Sequence, residues 1–189
     1  SGNYDIVEAK FEGDALVPRR GFSCSKMAMP FLEEKLKTFH NFASSNLTNI
    51  YTPSALNTAS RYEVNTLEHG VFINEDNKFK FSKLPIESQI SPSFGCTFDD
   101  VDSDGITDII MAHNFFGPQR ETGRMDGGLS LILLGTGHCQ YKPLPHKESG
   151  ITISGDTRKV FAIDLDKDGT KEIIFAQNNG PLLFYSRKN

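Results

Sequence analysis

The stretch "FDDVDSDGITDIIMAHN", residues Phe98 to Asn114, carries five aspartates in ten residues and then turns apolar. A second stretch, "FAIDLDKDGTKEIIFAQNN" from Phe161 to Asn179, repeats that order of acids, glycine and apolar run. Numbered from Asp100, the first loop places Asp102 and Asp104 at positions 3 and 5, Gly105 at 6, Ile106 at 7 and Asp108 at 9. The second places Asp164, Asp166 and Asp168 at 1, 3 and 5, then Gly169, Thr170 and Glu172 at 6, 7 and 9. Alternate residues of a tight loop aim their side chains at one centre. The glycine allows the sharp turn that brings in the carbonyl of position 7. Two carboxylates ~4 Å apart repel by about 4 kcal/mol at an effective dielectric of ~20. Converging acids therefore imply a divalent cation between them, and an all-oxygen donor set suits Ca²⁺ rather than Zn²⁺. The alternative is a solvated acidic turn with splayed side chains. Two copies with the same closing acid argue against it.

An EF-hand requires a helix after the loop and a bidentate Glu at position 12. Position 12 here is Met111 or Phe175, and "IIMAH" and "IIFAQ" read as strands bounded by turn residues. The ions are thus expected at strand-to-strand turns.

Outward from the loops, "FKFSKLP" (Phe79 to Pro85) and "CQYKPLP" (Cys139 to Pro145) form a second matched pair. "GVFIN" (Gly70 to Asn74) and "GLSLILLG" (Gly128 to Gly135) supply further strands. Asp100 and Asp164 lie 64 residues apart, and four short strands in a period near 60 is the pattern of a β-propeller blade. "DIVEAK" at Asp5 aligns with "DIIMAH" and "EIIFAQ", making Asp5 position 9 of a third loop. Gly2 falls on the loop glycine there and Ser1 on a position held by Asp elsewhere, so a complete ion site is not expected. The wider spacing from Asp5 to Asp108 implies an insertion, found at about residues 27–61. Within it, Phe31, Leu32, Leu36 and Phe39 share one face at helical spacing after Pro30, and Thr52-Pro53 reads as a capped helix start. Such an apolar face either packs on its own domain or offers a partner surface.

The predicted organisation is an all-β chain with a small helical insertion. It forms a partial β-propeller of about three incomplete four-stranded calcium-loop blades: 1–85, truncated; 86–145; and 146–189, truncated. The net charge of −4 and pI near 5.7 argue against a nucleic-acid-binding face. No apolar run approaches the ~18 residues of a membrane span. Cys24, Cys96 and Cys139 show no metal spacing and read as small buried hydrophobes, with one disulfide left open.

At these residues the chain resembles the FG-GAP or VCBS repeat family of integrin-α-like propellers, most nearly the bacterial VCBS-repeat proteins related to cartilage acidic protein. "NNGPLLFY" (Asn178 to Tyr185) is similar to the family's turn into the following strand. The resemblance implies Ca²⁺ at two sites. One is held by Asp100, Asp102, Asp104, Asp108 and the Ile106 carbonyl; the other by Asp164, Asp166, Asp168, Glu172 and the Thr170 carbonyl. Rings of this kind close with about seven blades, so the resemblance implies a longer natural chain or a second copy pairing its edges. The implied role is an exported interaction or adhesion module for a protein or glycan, without catalysis. A polysaccharide-processing enzyme is the alternative, with Arg120, Glu121, Arg124 and Asp126 as candidates and His113 and His138 nearby. A purely structural scaffold is the third reading.

Overall fold

The computed structural model describes residues 5–120 and 122–187. Ser1, Gly2 and the start of the third acidic loop lie outside them, as does Glu121. The chain is mainly β with short helices, and the described strands do not close into a barrel or ring. It divides after Val64 into two compact units.

The first unit joins a β-hairpin to five short helices. Strands β1 (Ala9–Glu12) and β2 (Ala15–Pro18) pair across a two-residue turn at Gly13 and Asp14, where Gly13 takes φ 60°. The strand expected from Asp5 begins only at Ala9. Its partner β2 reaches back to Pro18, and a last backbone bond, from the Arg19 N–H to Glu8 O, closes the ladder there. The helices are α1 (Phe22–Ala28), α2 (Phe31–Leu36), α3 (Phe39–Ala43), α4 (Leu47–Tyr51) and α5 (Pro53–Thr58). They therefore begin before residue 27. Phe22, the first helical residue, anchors α1 by stacking on Phe42.

The single apolar face drawn through Phe31 and Phe39 does not form. Lys37 adopts φ 64° and ends α2, and the Thr38 hydroxyl then caps α3 by accepting the Asn41 N–H at 3.1 Å. Leu32 and Leu36 go inward while Phe31 and Phe39 stay exposed. Thr52 does cap α5, with Pro53 in the first turn. Phe22, Leu32, Leu36, Phe42, Leu47, Ile50 and Tyr51 make one core, against which Val7, Ala9 and Leu16 pack. The helical faces thus cover their own unit.

The second unit stacks three sheets. β3 (Gly70–Glu75) and β4 (Lys78–Lys83) form a hairpin through Asp76 and Asn77, both at positive φ, as a tight primed turn requires. A 3₁₀ turn (Ile86–Gln89) leads to β5 (Ser93–Asp99), β6 (Asp108–His113), β7 (Leu131–Gly135) and β8 (Tyr141–Pro143), an antiparallel meander in chain order. Helix α6 (His146–Ser149) precedes β9 (Thr157–Ile163), β10 (Glu172–Gln177) and β11 (Leu182–Tyr185), the third sheet. Strands, not helices, leave both acidic loops.

β6 and β7 are buried on both faces, so their alternate residues serve two cores. Ile109, Met111, Leu131 and Leu133 pack toward Val71 of the β3–β4 hairpin and Leu84, which follows it. Ile110, Ala112, Ile132 and Leu134 pack on Val160 and Phe175 of the third sheet and on Ile151 and Ile153, which precede it. Gly95 marks the closest approach. A Cβ there would stand 2.8 Å from the Arg158 carbonyl and 2.9 Å from Lys159 Cα, so only glycine lets β5 lie this near β9. The cysteines differ from the buried expectation: Cys96 and Cys139 are exposed, Cys24 is half-buried, and all three are free thiols. Cys96 alternates with inward-facing neighbours along β5, and Cys139 sits in the β7–β8 turn at φ 54°.

Candidate metal centre

Both acidic loops are turns between the first and second strands of a sheet, β5–β6 and β9–β10, and they share one backbone scheme. Position 4 has positive φ (Ser103 62°, Lys167 63°), and so does the glycine at position 6 (Gly105 84°, Gly169 90°). This double reversal turns successive N–H groups inward to carboxylates of the same loop.

The hydrogen bonds repeat in register. The position-1 acid accepts from the glycine N–H: Asp100 from Gly105 at 2.9 Å and Asp164 from Gly169 at 3.0 Å. The position-3 acid accepts from position 5: Asp102 from Asp104 at 3.3 Å and Asp166 from Asp168 at 3.2 Å. Position 5 braces the backbone of position 7: Asp104 holds the Ile106 N–H and Asp168 the Thr170 N–H, both at 2.7 Å. The closing acid reaches back to position 2: Asp108 accepts from Val101 at 2.8 Å and Glu172 from Leu165 at 2.9 Å.

This geometry brings Asp100, Asp102 and Asp108 together in one group, and Asp164, Asp166 and Glu172 in the other. Within each, one oxygen per residue lies within 4.8 Å of the rest. Asp104 and Asp168 stand outside these groups, each with an oxygen engaged by the N–H two residues on. Ile106 and Thr170 contribute the braced backbone of position 7.

Two features of charge bear on a cation. Asp108 is fully buried, its second oxygen accepting the Gly135 N–H at 2.8 Å. Burial pushes its carboxyl above the usual range against the pull of its two backbone donors, and Asp102 and Asp100 push the same way. In the second loop, Asp164 Oδ1 is a buried acceptor without a hydrogen-bond partner. A buried lone acceptor costs free energy unless a positive group faces it. These residues fit a hard, oxygen-liganded cation.

Two basic side chains from the segment that carries the third sheet reach the first loop and its flank. Lys171, beside Glu172, donates to Asp99 at 2.6 Å, and Arg187 reaches Ser103 Oγ at 2.5 Å and the Asp102 carbonyl at 3.2 Å. Comparison of the chain with known protein families, with curated proteins and with solved structures returns no match.

Among the described residues considered for catalysis, His113 and His138 are not brought together. His113 ends β6 and His138 follows β7; because the strands are antiparallel, the two lie at opposite ends of the pair. Arg124 rests its guanidinium 3.8 Å from the Phe116 ring centre and faces Asp126 at 3.6 Å, both partners near it in the same exposed loop. Arg120 lies in that loop too.

Sequence reading missed a heavily bonded side chain, Asn114, which is fully buried at φ 87°. Its Nδ2 donates to the carbonyls of Gly128 (2.8 Å), Ser154 (3.1 Å) and Gly155 (3.2 Å). Its Oδ1 accepts from the Gly128 N–H and Ser91 Oγ, each at 2.9 Å. One amide thus ties the end of β6 to the approaches to β7 and β9. The sequence signal was an Asn directly after an apolar strand, a residue type that tolerates positive φ.

Proposed function

We propose that this chain is a set of calcium-loaded β-propeller repeats, working as an exported interaction module that binds a protein or glycan and performs no chemistry of its own. The supporting observation is the repeated loop. Two segments 64 residues apart adopt the same backbone reversals and the same internal hydrogen bonds, and each gathers three acidic side chains. Asp100, Asp102, Asp108 and Asp164, Asp166, Glu172 would hold the ions, with Asp104 and Asp168 bracing position 7. A bound Ca²⁺ would supply charge compensation and rigidity at the strand turns. The four-stranded meander β5–β8 serves as one blade and β9–β11 as most of the next, which accounts for the close approach at Gly95. Export follows from the metal, since sites of this kind fill at the calcium concentrations found outside the cytosol.

Thermal melts of the chain with EDTA and with millimolar Ca²⁺ test this reading. Free Ca²⁺ at about a hundred times Kd adds about 2.7 kcal/mol per site, so the melting temperature rises by several degrees. Asp100→Ala and Asp164→Ala each remove one equivalent from a calorimetric titration. Identical melts with and without the ion would overturn the proposal.

A further inference from the structure

The two acidic loops are joined by one side chain. β5 leads into the first loop and β9 into the second, and these strands lie against each other at Gly95. Lys171 stands within a loop of four acids. Its ammonium leaves them and donates to Asp99 Oδ1 at 2.6 Å, 72 residues back along the chain. The Asp99 side chain is 18% exposed and that of Lys171 50%. The repeat by itself does not generate this pair. Lys171 is position 8 of the second loop, where the first has Thr107. Asp99 directly precedes position 1 of the first loop, where the second has Ile163. The pair belongs to the junction of two sheets, not to the loop motif.

The neighbours of each partner give the pair its meaning. Lys171 lies between Thr170 and Glu172, positions 7 and 9 of the second loop. Asp168 holds the Thr170 N–H, and Glu172 reaches back to the Leu165 N–H, so both neighbours are tied into the loop. Asp99 precedes Asp100, and across the β5–β6 ladder it stands opposite Asp108. Asp100 and Asp108 belong to the first acidic group and Glu172 to the second. The buried, unpartnered Asp164 Oδ1 points to a cation in the second loop independently of the number of acids.

We infer, resting on the calcium reading above, that the two loops take up Ca²⁺ cooperatively, with the Lys171–Asp99 pair as the coupling element. When Thr170 and Glu172 close on an ion, Lys171 between them loses its freedom and stays on Asp99. Asp99 then holds the end of β5, and with it Asp100. Part of the ordering cost of the first loop is met before its own site fills, and linkage makes the effect equal in the other direction. The gain is limited to what a half-exposed ion pair carries, about two- to fivefold in affinity.

Calorimetric titration with calcium chloride measures the coupling. Asp100→Ala and Asp164→Ala each keep one site and give the two single-site constants. The parent chain's overall constant for two ions exceeds their product by about two- to fivefold. The same three titrations made in a Lys171→Met background show no excess, and an Asp99→Asn background gives the same result. Lys171→Met carries the comparison alone should Asp99→Asn misfold. Arg187→Gln removes a cation that contacts Ser103 and Asp102 of the first loop, and it leaves the excess in place. An excess that survives Lys171→Met overturns the inference. So does a parent chain whose overall constant equals or falls below the product, although both sites then still bind and the calcium reading stands. A parent chain that takes up no Ca²⁺ at all overturns both.

Discussion

Asn114→Asp is the sharpest single-atom test of how the second unit is held together. The substitution exchanges an NH₂ for an oxygen and changes almost no volume. The two bonds accepted by Oδ1 survive. The two donated hydrogens vanish, and a carboxylate oxygen then faces the carbonyls of Gly128, Ser154 and Gly155 at the 2.8–3.2 Å that the amide spans. Each lost buried bond costs about 1–3 kcal/mol, giving about 4 kcal/mol in sum. At ~2–4 °C per kcal/mol for a chain of this size, the melting temperature falls by about 8–16 °C at pH 7. Acid should soften the loss. Burial against three carbonyls raises the folded pKa of the new carboxyl above its unfolded value of about 3.9, and the protonated form regains a donor. The difference from the parent chain therefore grows as pH rises from about 4 to 7. Calorimetric melts of both chains at pH 4.5 and 7 read this directly. A shift under about 2 °C at pH 7, or a pH-independent difference, would refute the role given to this amide.

His113 carries a second pH signature. Its buried ring has no partner at Nε2, and burial first, then the nearby His69 and His146, push its pKa down to about 4. An unfolded imidazole titrates near 6.5, so the stability held by neutral His113 is complete above that pH. It is lost as pH falls toward 4, by about 3 kcal/mol in all. Urea midpoints across this window should decline in the parent chain and flatten in His113→Gln; equal slopes would contradict the assignment. Gly95→Ala should cost about 1–3 kcal/mol by forcing β5 away from β9. Gly117→Ala, whose Cβ would meet nothing nearer than 3.8 Å, serves as the neutral control in the same denaturant series.

The sequence carried the local features of this protein and lost the ones made by distant residues. Spacing alone located both acidic turns and the strands leaving them, because acids, glycine and apolar run are all set within a dozen consecutive residues. The same reading failed at the helical segment. Phe31, Leu32, Leu36 and Phe39 share a face only while the helix continues, and Lys37 at φ 64° ends it. Pattern cannot see a backbone reversal that neighbouring helices stabilise. It placed Cys96 and Cys139 inside because cysteine is an apolar residue type, whereas exposure depends on which side of a strand or turn faces the next sheet.

The loop hydrogen bonds of Asp104 and Asp168 likewise appear only in three dimensions. Composition cannot show that a backbone N–H two residues on engages one oxygen of each, as it does for Asp102 and Asp166. Asn114 was illegible for the same reason, since its partners Ser91, Gly128, Ser154 and Gly155 are scattered along the chain. Sequence by itself thus determined where the chain turns and which atoms could ligate. Only the tertiary structure decided which faces are sealed and which acid is fully buried, because burial depends on residues that come together only when the sheets stack.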